Sequence, residues 1–207
     1  MGESMEAAMS TLSAGILLFL IMDPLGNVPF FLSLLKGVAP ERHRIVLVRE
    51  LLIALVVLFL FLFAGRYILA GLQLKQESMG IAGGIVLFLI GIRMIFPPPS
   101  GGIFGGDQTG EPFIVPMAIP GVAGPSAMAA VMLLANSNPG RTVDWSIALF
   151  GAWLGTAVIL LSATYIYRWL GQGVLIAMER LMGMLLVALS VQMFLDGVVA
   201  YVRLIGE

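Results

Sequence analysis

The chain has 207 residues, of which 59% are hydrophobic and only 11% are charged, and its formal net charge is -1. Soluble domains carry roughly 25% charged residues, so this composition, with a mean hydropathy of +1.03, predicts an integral protein of the lipid bilayer. The chain has no basic block that would bind nucleic acid, and its lack of cysteine excludes disulfides, thiolate metal sites and cysteine nucleophiles.

The first apolar run covers residues 7–35 and contains one charged residue, Asp23. A run of this length and composition is typical of a membrane-spanning helix. Its centre reads MDPLGNVP, with Pro24 and Pro29 five positions apart. Proline removes a backbone donor and clashes with the preceding turn. We therefore predict that helix 1 is broken at membrane depth and that its second segment begins at Phe30.

The next two helices are predicted at residues 45–65 and 78–96, joined by a link at 66–77. Arg49 and Glu50 fall in the first turns of helix 2. Adjacent residues do not face each other on a helix, so we interpret Arg49 as an interfacial arginine whose partner need not be Glu50. In helix 3, Gly80 and Gly84 have GxxxG spacing, which permits close approach of another helix.

Residues 97–112 are rich in proline and glycine and predict a linker. They separate a first three-helix repeat at 1–96 from a second at 113–207. Helix 4, at 113–136, contains IPGVAGPS, where Pro120 and Pro125 repeat the spacing of the first break. Its second segment is predicted to begin at Ser126.

Helices 5 and 6 are predicted at residues 145–167 and 174–201. Helix 5 carries Gly151 and Gly155 at GxxxG spacing. Its aromatic residues are typical of the two membrane interfaces; they are Trp145, Tyr165, Tyr167 and Trp169. Because each half has an odd number of helices, the second enters the membrane from the opposite side. The predicted fold class is therefore all-α, a polytopic membrane protein with six transmembrane helices in two inverted three-helix repeats and with helices 1 and 4 broken.

Seven of the 11 Lys and Arg residues fall in loops 1–2, 3–4 and 5–6. The positive-inside rule then predicts that both termini lie outside the cell membrane.

Paired breaks of this kind mark binding sites in transporters. Each restarted helix offers unpaired N-H groups to a carboxylate, while freed carbonyls, Asp23 and Asn27 offer oxygens to an ammonium group, Na⁺ or a proton. The glycines leave room only for a small ligand. The candidate substrate-binding residues are Asp23, Pro24, Gly26, Asn27, Pro29, Pro120, Gly121, Gly124, Pro125 and Ser126. In the alternative interpretation, the breaks only pack two kinks together and Asp23 caps the restarted helix.

Four segments resemble the MarC family of six-helix inner-membrane proteins: ILLFLIMDPLGNVPFF, VRELLIALVVLFLFLFAG, EPFIVPMAIPGVAGP and ERLMGMLLVALSVQMFLDG. The family is grouped with small neutral amino acid transporters. The resemblance therefore implies a multi-pass protein of the bacterial inner membrane with glycine or alanine as substrate.

The sequence thus favours a secondary transporter of small neutral amino acids, coupled to Na⁺ or H⁺ and without a cofactor or metal. Its partners would be the lipid bilayer and a small zwitterionic or neutral solute, with a homo-oligomer left open. The rivals are a passive channel or facilitator, an exporter of other small solutes, and a membrane scaffold. An intramembrane enzyme is disfavoured because we find no paired acid/base or metal groups at membrane depth.

Overall fold

A computed structural model describes residues 10–35, 38–73, 75–96, 115, 117–167 and 172–206. Within these residues the regular structure is helical, as predicted, and it includes seven α-helices. They are α1 (Thr11–Met22), α2 (Pro24–Leu35), α3 (His43–Gly71), α4 (Gln76–Ile95), α5 (Pro125–Ser137), α6 (Thr142–Tyr167) and α7 (Gln172–Gly206). Short 3₁₀ turns, Pro40–Arg42 and Pro139–Arg141, precede α3 and α6, and a wide turn, Met117–Val122, precedes α5.

Four stretches of the described chain are long and apolar enough to cross a membrane: Thr11–Leu35, Pro40–Gly71, Pro139–Ala163 and Ile176–Arg203. Two further apolar helices, Gly80–Ile95 and Pro125–Asn136, are shorter. The predicted linker at 97–112 lies outside the described residues.

The predicted boundary of helix 2 was wrong, because α3 continues from residue 65 to Gly71. Arg66 does not end the helix, and its guanidinium lies over the ring of the next residue, Tyr67, 4.5 Å from the centroid. The helix ends where Gln73 takes a positive φ of 54°. A single charged residue therefore does not mark the end of the helix here.

The helices contact each other in pairs. The paired elements are α1 with α6, α3 with α5, α2 with α6, α3 with α6 and, most extensively, α4 with α7. The buried core runs between them and includes Leu18, Phe30, Leu58, Val131 and Leu149. Each broken helix therefore packs against a long unbroken helix.

Helices α4 and α7 are antiparallel and meet through glycines. A Cβ atom added to Gly84 would lie 2.8 Å from the carbonyl oxygen of Ser190, and one added to Gly91 would lie 2.9 Å from that of Gly183. Gly80 instead faces open space, with no atom within 4 Å of such a Cβ. The prediction that Gly80 and Gly84 act together was therefore wrong for Gly80, because the contact follows the heptad spacing of Gly84 and Gly91.

Helix α6 departs from its prediction in two ways. Gly151 faces open space, so of its predicted pair only Gly155 contacts a neighbour, the ring of Phe19. Trp145 does not present its ring to lipid as an exposed interfacial aromatic would, because it is 1% exposed and its indole N-H donates to the carbonyl of Asn138 at 3.2 Å. Tyr165 is 58% exposed and lies 4.6 Å below the guanidinium of Arg44, as an interfacial aromatic would. Trp169 and the side chain of Tyr167 lie outside the described residues.

Candidate functional site at the paired helix breaks

The first break is a single residue, Asp23, between α1 and α2. Asp23 adopts the left-handed conformation, with φ 41° and ψ 61°, and its N-H donates to the carbonyl of Leu20. Asp and Asn enter this region more readily than most side chains. Its Oδ1 accepts the N-H of Gly26 at 3.1 Å, which is the bond that caps a helix N-terminus. The alternative role considered for Asp23, capping, is therefore present in the structure.

The predicted start of the second segment at Phe30 was wrong. Helix α2 begins at Pro24, and Pro29 lies within it. Proline is favoured at the first position of a helix, where its missing N-H would have no partner and its φ is already helical. The two prolines therefore have different effects, since Pro24 starts the helix and Pro29 only removes one hydrogen bond inside it.

The second break is longer than the first. The turn Met117–Val122 contains a non-helical residue, Ile119, with φ -127° and ψ 124°, and it is closed by a bond from the N-H of Ala123 to the carbonyl of Ala118 at 2.9 Å. Gly124 then takes an extended conformation, and α5 begins at Pro125. The restart predicted after Pro125 thus occurs one residue earlier, with proline again in the first position.

The two breaks are in direct contact through Asn27. Its amide nitrogen donates to the carbonyl of Met22 at 2.8 Å and to the carbonyl of Gly121 at 3.1 Å. In a continuous helix the Met22 carbonyl would accept the N-H of Gly26, but that N-H donates to Asp23. The Asn27 side chain therefore supplies the Met22 carbonyl with the hydrogen bond that the first break removes. The same nitrogen also binds the turn of the second break, at Gly121.

The predicted site residues are not equally accessible. Pro24, Pro29 and Pro120 are buried, and Asp23 and Ser126 are exposed. The others, Gly26, Asn27, Gly121, Gly124 and Pro125, are of intermediate exposure. At the paired breaks three of the prolines are thus buried, while a carboxylate, that of Asp23, and a hydroxyl, that of Ser126, are exposed. Their role in binding stays a prediction.

The two restarted helices differ in electrostatics. Helix α2 is capped by Asp23, whereas α5 has no side-chain cap. The first backbone bond of α5 runs from Met128 to Gly124, so the N-H groups of Ser126 and Ala127 have no hydrogen-bond partner in the described part of the chain. Such groups carry the partial positive charge of a helix N-terminus. An anionic group is therefore favoured at the second break and not at the first.

The Asp23 carboxylate lies so close to residue 26 that only glycine fits there. A Cβ atom added to Gly26 would collide with the Asp23 carboxylate, whose Cγ would lie 2.7 Å away. We expect Gly26→Ala to displace the carboxylate from the N-H that it accepts and to cost about 0.5–2 kcal/mol of stability. The melting temperature should then fall by roughly 1–8 °C.

Thermal unfolding of the purified protein measures this effect. Gly140→Ala is the matched control, because a Cβ at Gly140 meets no atom within 4 Å. Equal melting temperatures for the two variants would mean that the Asp23 cap contributes nothing to stability.

One buried charged residue, Glu50 of α3, was not among the candidate residues. Nε and Nη2 of Arg49 both lie 2.9 Å from its Oε1, so the expectation that these neighbours need not pair was wrong. The Glu50 side chain is 0% exposed and that of Arg49 is 32% exposed. The sequence contained a signal, because Glu50 continues the buried stripe of Val46, Ala54 and Leu58 at four-residue spacing.

The comparison with known proteins decides the family. The family described as MarC family integral membrane protein matches residues 9–202. The chain belongs to the MarC family.

This MarC protein is 54% identical over 187 residues to the UPF0056 inner membrane protein YhgN of Escherichia coli K12, covering 90% of this chain and 95% of that protein. It is 49% identical over 192 residues to a UPF0056 membrane protein of Buchnera aphidicola subsp. Baizongia pistaciae, covering 90% and 95%. It is 31% identical over 183 residues to a UPF0056 membrane protein of Pyrococcus abyssi, covering 87% of this chain and 90% of that protein. No solved structure matches.

These relatives confirm the resemblance and establish the MarC protein as an integral membrane protein. Their names place them in a membrane, which in E. coli is the inner membrane, and state no substrate.

Proposed function

We propose that this MarC protein is a secondary transporter of small neutral amino acids of the glycine and alanine type, coupled to an ion gradient. The observation that carries the proposal is the Asn27 side chain, which hydrogen-bonds carbonyls of both breaks. Broken helices that meet near the midplane are the usual site of substrate and ion binding in secondary transporters. Asp23 lies at the middle of the Thr11–Leu35 span, where an accessible carboxylate is costly unless it serves a partner or a water-filled path.

The proposed architecture is six spans in two inverted three-helix repeats. The pairing of the helices supports it. In the first half, the broken helix α1–α2 packs on α6, and in the second half, the turn Met117–Val122 and α5 pack on α3 in the same way. Further support comes from the two 3₁₀ turns, Pro40–Arg42 and Pro139–Arg141, which precede α3 and α6 with proline first and arginine last. In this arrangement the six spans are the four long stretches together with the shorter helices Gly80–Ile95 and Pro125–Asn136.

A zwitterion matches the polarity of the two breaks. The uncapped N-H groups of Ser126 and Ala127 would take its carboxylate. The first break would take its ammonium group with the Asp23 carboxylate and the side-chain oxygen of Asn27. The hydrogen bonds of the Asn27 side chain use only its nitrogen, so its oxygen has no bond among the described residues. Every buried side-chain oxygen of the described residues has a hydrogen-bond partner. The unbonded oxygen of Asn27 is therefore not buried and is accessible. The half-buried glycines Gly121 and Gly124 leave room for a small side chain only.

The transport cycle would be a rocking of the two repeats around the fixed site, with Na⁺ or H⁺ as the coupling ion. We place the protein in the bacterial inner membrane with both termini outside. Its relatives' names support the membrane, and the distribution of its 11 Lys and Arg residues supports the orientation. Saturable uptake of radiolabelled alanine or glycine into proteoliposomes tests the proposal. Unsaturated flux would indicate a facilitator, and no flux would contradict a transport role for these substrates.

Asp23→Asn separates the charge of Asp23 from its capping role. Asparagine caps helices about as well as aspartate, so we expect the melting temperature to stay within about 2 °C of the wild type. Alanine uptake should nevertheless fall at least about tenfold, since the negative charge that would hold the ammonium group is lost.

Alanine uptake is measured in proteoliposomes, and the melting temperature is measured by thermal unfolding of the same preparation. Asp23→Ala, which removes both the charge and the cap, should lower both quantities. Wild-type uptake by Asp23→Asn would mean that Asp23 acts only as a cap and has no role in binding.

A further inference from the structure

The described part of the membrane spans contains a charged side chain with no exposure at all, Glu50 in α3. Its Oε1 lies 2.9 Å from both Nε and Nη2 of Arg49. Adjacent residues point in different directions around a helix, so the long arginine side chain must bend back to reach Glu50. A carboxylate without water is stable only with such a cationic partner. The pair as a whole is neutral.

The pair lies roughly 9 Å further along α3 than Arg44, at 1.5 Å per residue, and at about the level of the first break. Helix α6 fixes this relation with two contacts. Trp153 donates to the carbonyl of Leu51, the neighbour of Glu50, at 2.8 Å. Thr156 lies about one turn further along α6. Its hydroxyl oxygen is 3.6 Å from the sulfur of Met22, the last residue of α1. Glu50 and Asp23 thus lie within about one or two helical turns of each other in depth.

Helix α3 is also in contact with the second break. Glu50 belongs to the buried stripe that includes Leu47, Leu51 and Ala54. Helix α3 packs against the turn Met117–Val122, against α5 and against α6. The buried acid is therefore carried by the helix that supports the second break, while Asp23 belongs to the first.

We propose that Glu50 is the proton-binding site of the transport cycle, an inference that rests on the proposed function. A proton on Glu50 neutralises the carboxylate, so that Glu50 no longer balances the positive charge of Arg49. That charge favours a carboxylate group that arrives at the same depth, so that the proton and the amino acid bind together. Na⁺ is disfavoured at Glu50 because it would have to fit as a separate ion beside the guanidinium 2.9 Å away, whereas a proton forms a covalent O-H bond and needs no shell of ligands.

The elements packed against Glu50 carry few other titratable groups. The segment 117–137, which forms the second break and α5, has none. On α6 they are confined to the first and last turns: Asp144, which pairs with Arg141 at 2.7 Å, and Tyr165 and Tyr167. The 3₁₀ turn before α3 carries Glu41 and Arg42, and α3 begins with His43 and Arg44. Asp23 belongs to the first break and is exposed.

In each cycle Glu50 takes one proton from water on one side of the membrane and gives it to water on the other side. Arg49 re-forms the ion pair when the proton leaves. The zwitterion carries no net charge, so the cycle moves one positive charge and is driven by both the pH gradient and the membrane potential.

The test uses the whole protein in proteoliposomes with radiolabelled alanine, in sodium-free buffer and under an imposed pH gradient. The wild type should accumulate alanine and should also exchange it by counterflow without a gradient. Glu50→Gln, which resembles a permanently protonated Glu50, should keep counterflow within about threefold and lose at least about tenfold of the pH-driven accumulation. Glu41→Gln, in the exposed turn before α3, is the control and should accumulate alanine normally.

Glu50→Asp keeps a titratable group on a shorter side chain, so it should still accumulate alanine with a shifted pH profile. It also provides the test if Glu50→Gln fails to fold. The inference is overturned if Glu50→Gln accumulates alanine as the wild type does, if the pH profile of Glu50→Asp is unshifted, or if the wild type accumulates alanine only with sodium. Failure of the proposed function looks different, because the wild type would then show neither accumulation nor counterflow.

Discussion

Asn27→Ala is expected to abolish alanine uptake and to destabilise the protein. The mutation removes both hydrogen bonds of the Asn27 amide, to Met22 and to Gly121. Each carbonyl that loses its donor away from water costs about 1–3 kcal/mol. We therefore expect uptake to fall by more than about tenfold, since 1.4 kcal/mol already corresponds to a factor of ten, and the melting temperature to fall by roughly 4 °C or more.

The effect should depend on the position of the asparagine. Asn136 is an exposed residue near the end of α5, and Asn136→Ala should leave both uptake and melting temperature close to the wild type. Thermal unfolding and counterflow measured on the same preparations separate loss of stability from loss of transport. If Asn27→Ala behaves like Asn136→Ala, the contact between the breaks does not contribute to transport, and the proposed site loses its main support.

Gly84→Leu is expected to give the largest loss of stability at the contact between α4 and α7. A Cβ at Gly84 would lie 2.8 Å from the backbone oxygen of Ser190 and 3.1 Å from the backbone nitrogen of Phe194. Because these are backbone atoms, the whole of α7 must move away. Overpacking of this kind costs about 1–3 kcal/mol, which lowers the melting temperature by roughly 2–12 °C.

Gly80→Leu is a matched control on the same helix. Gly80 has no atom within 4 Å of an added Cβ, and leucine favours a helix more than glycine does. Thermal unfolding should therefore show Gly80→Leu to be as stable as the wild type or slightly more stable. Equal destabilisation by the two variants would contradict the assignment of Gly84, and not Gly80, to the helix contact.

The sequence predicted the helical membrane class and the places where the chain breaks. The breaks were predictable because proline and glycine act on the backbone locally. What the prolines do at each position was less predictable. Pro24 begins α2 only because Asp23 takes a positive φ, and the pattern of prolines does not contain that information.

Contacts between helices were predicted less well, because they depend on how each helix is rotated about its axis. GxxxG spacing selected Gly80 and Gly84, but the close approach to α7 uses Gly84 and Gly91. The rule that adjacent residues do not face each other was applied to Arg49 and Glu50 without allowing for the length of the arginine side chain. Asn27 was named among the candidate site residues, and the structure places it in the first turns of α2, next to the first break. Its bond to Gly121 is a tertiary contact that sequence alone did not predict.

The unequal lengths of α4 and α7 affect the surrounding lipid. The apolar part of α4, Gly80–Ile95, spans roughly 24 Å at 1.5 Å per residue, less than the ~30 Å hydrocarbon thickness of a typical bilayer. The apolar part of its partner α7, Ile176–Arg203 with 28 residues, spans roughly 42 Å. In the proposed six-span arrangement, this hydrophobic mismatch requires the bilayer to thin beside α4 and α7 to tilt or protrude. The acyl-chain length of the host lipid would then set part of the energy that holds these two helices together.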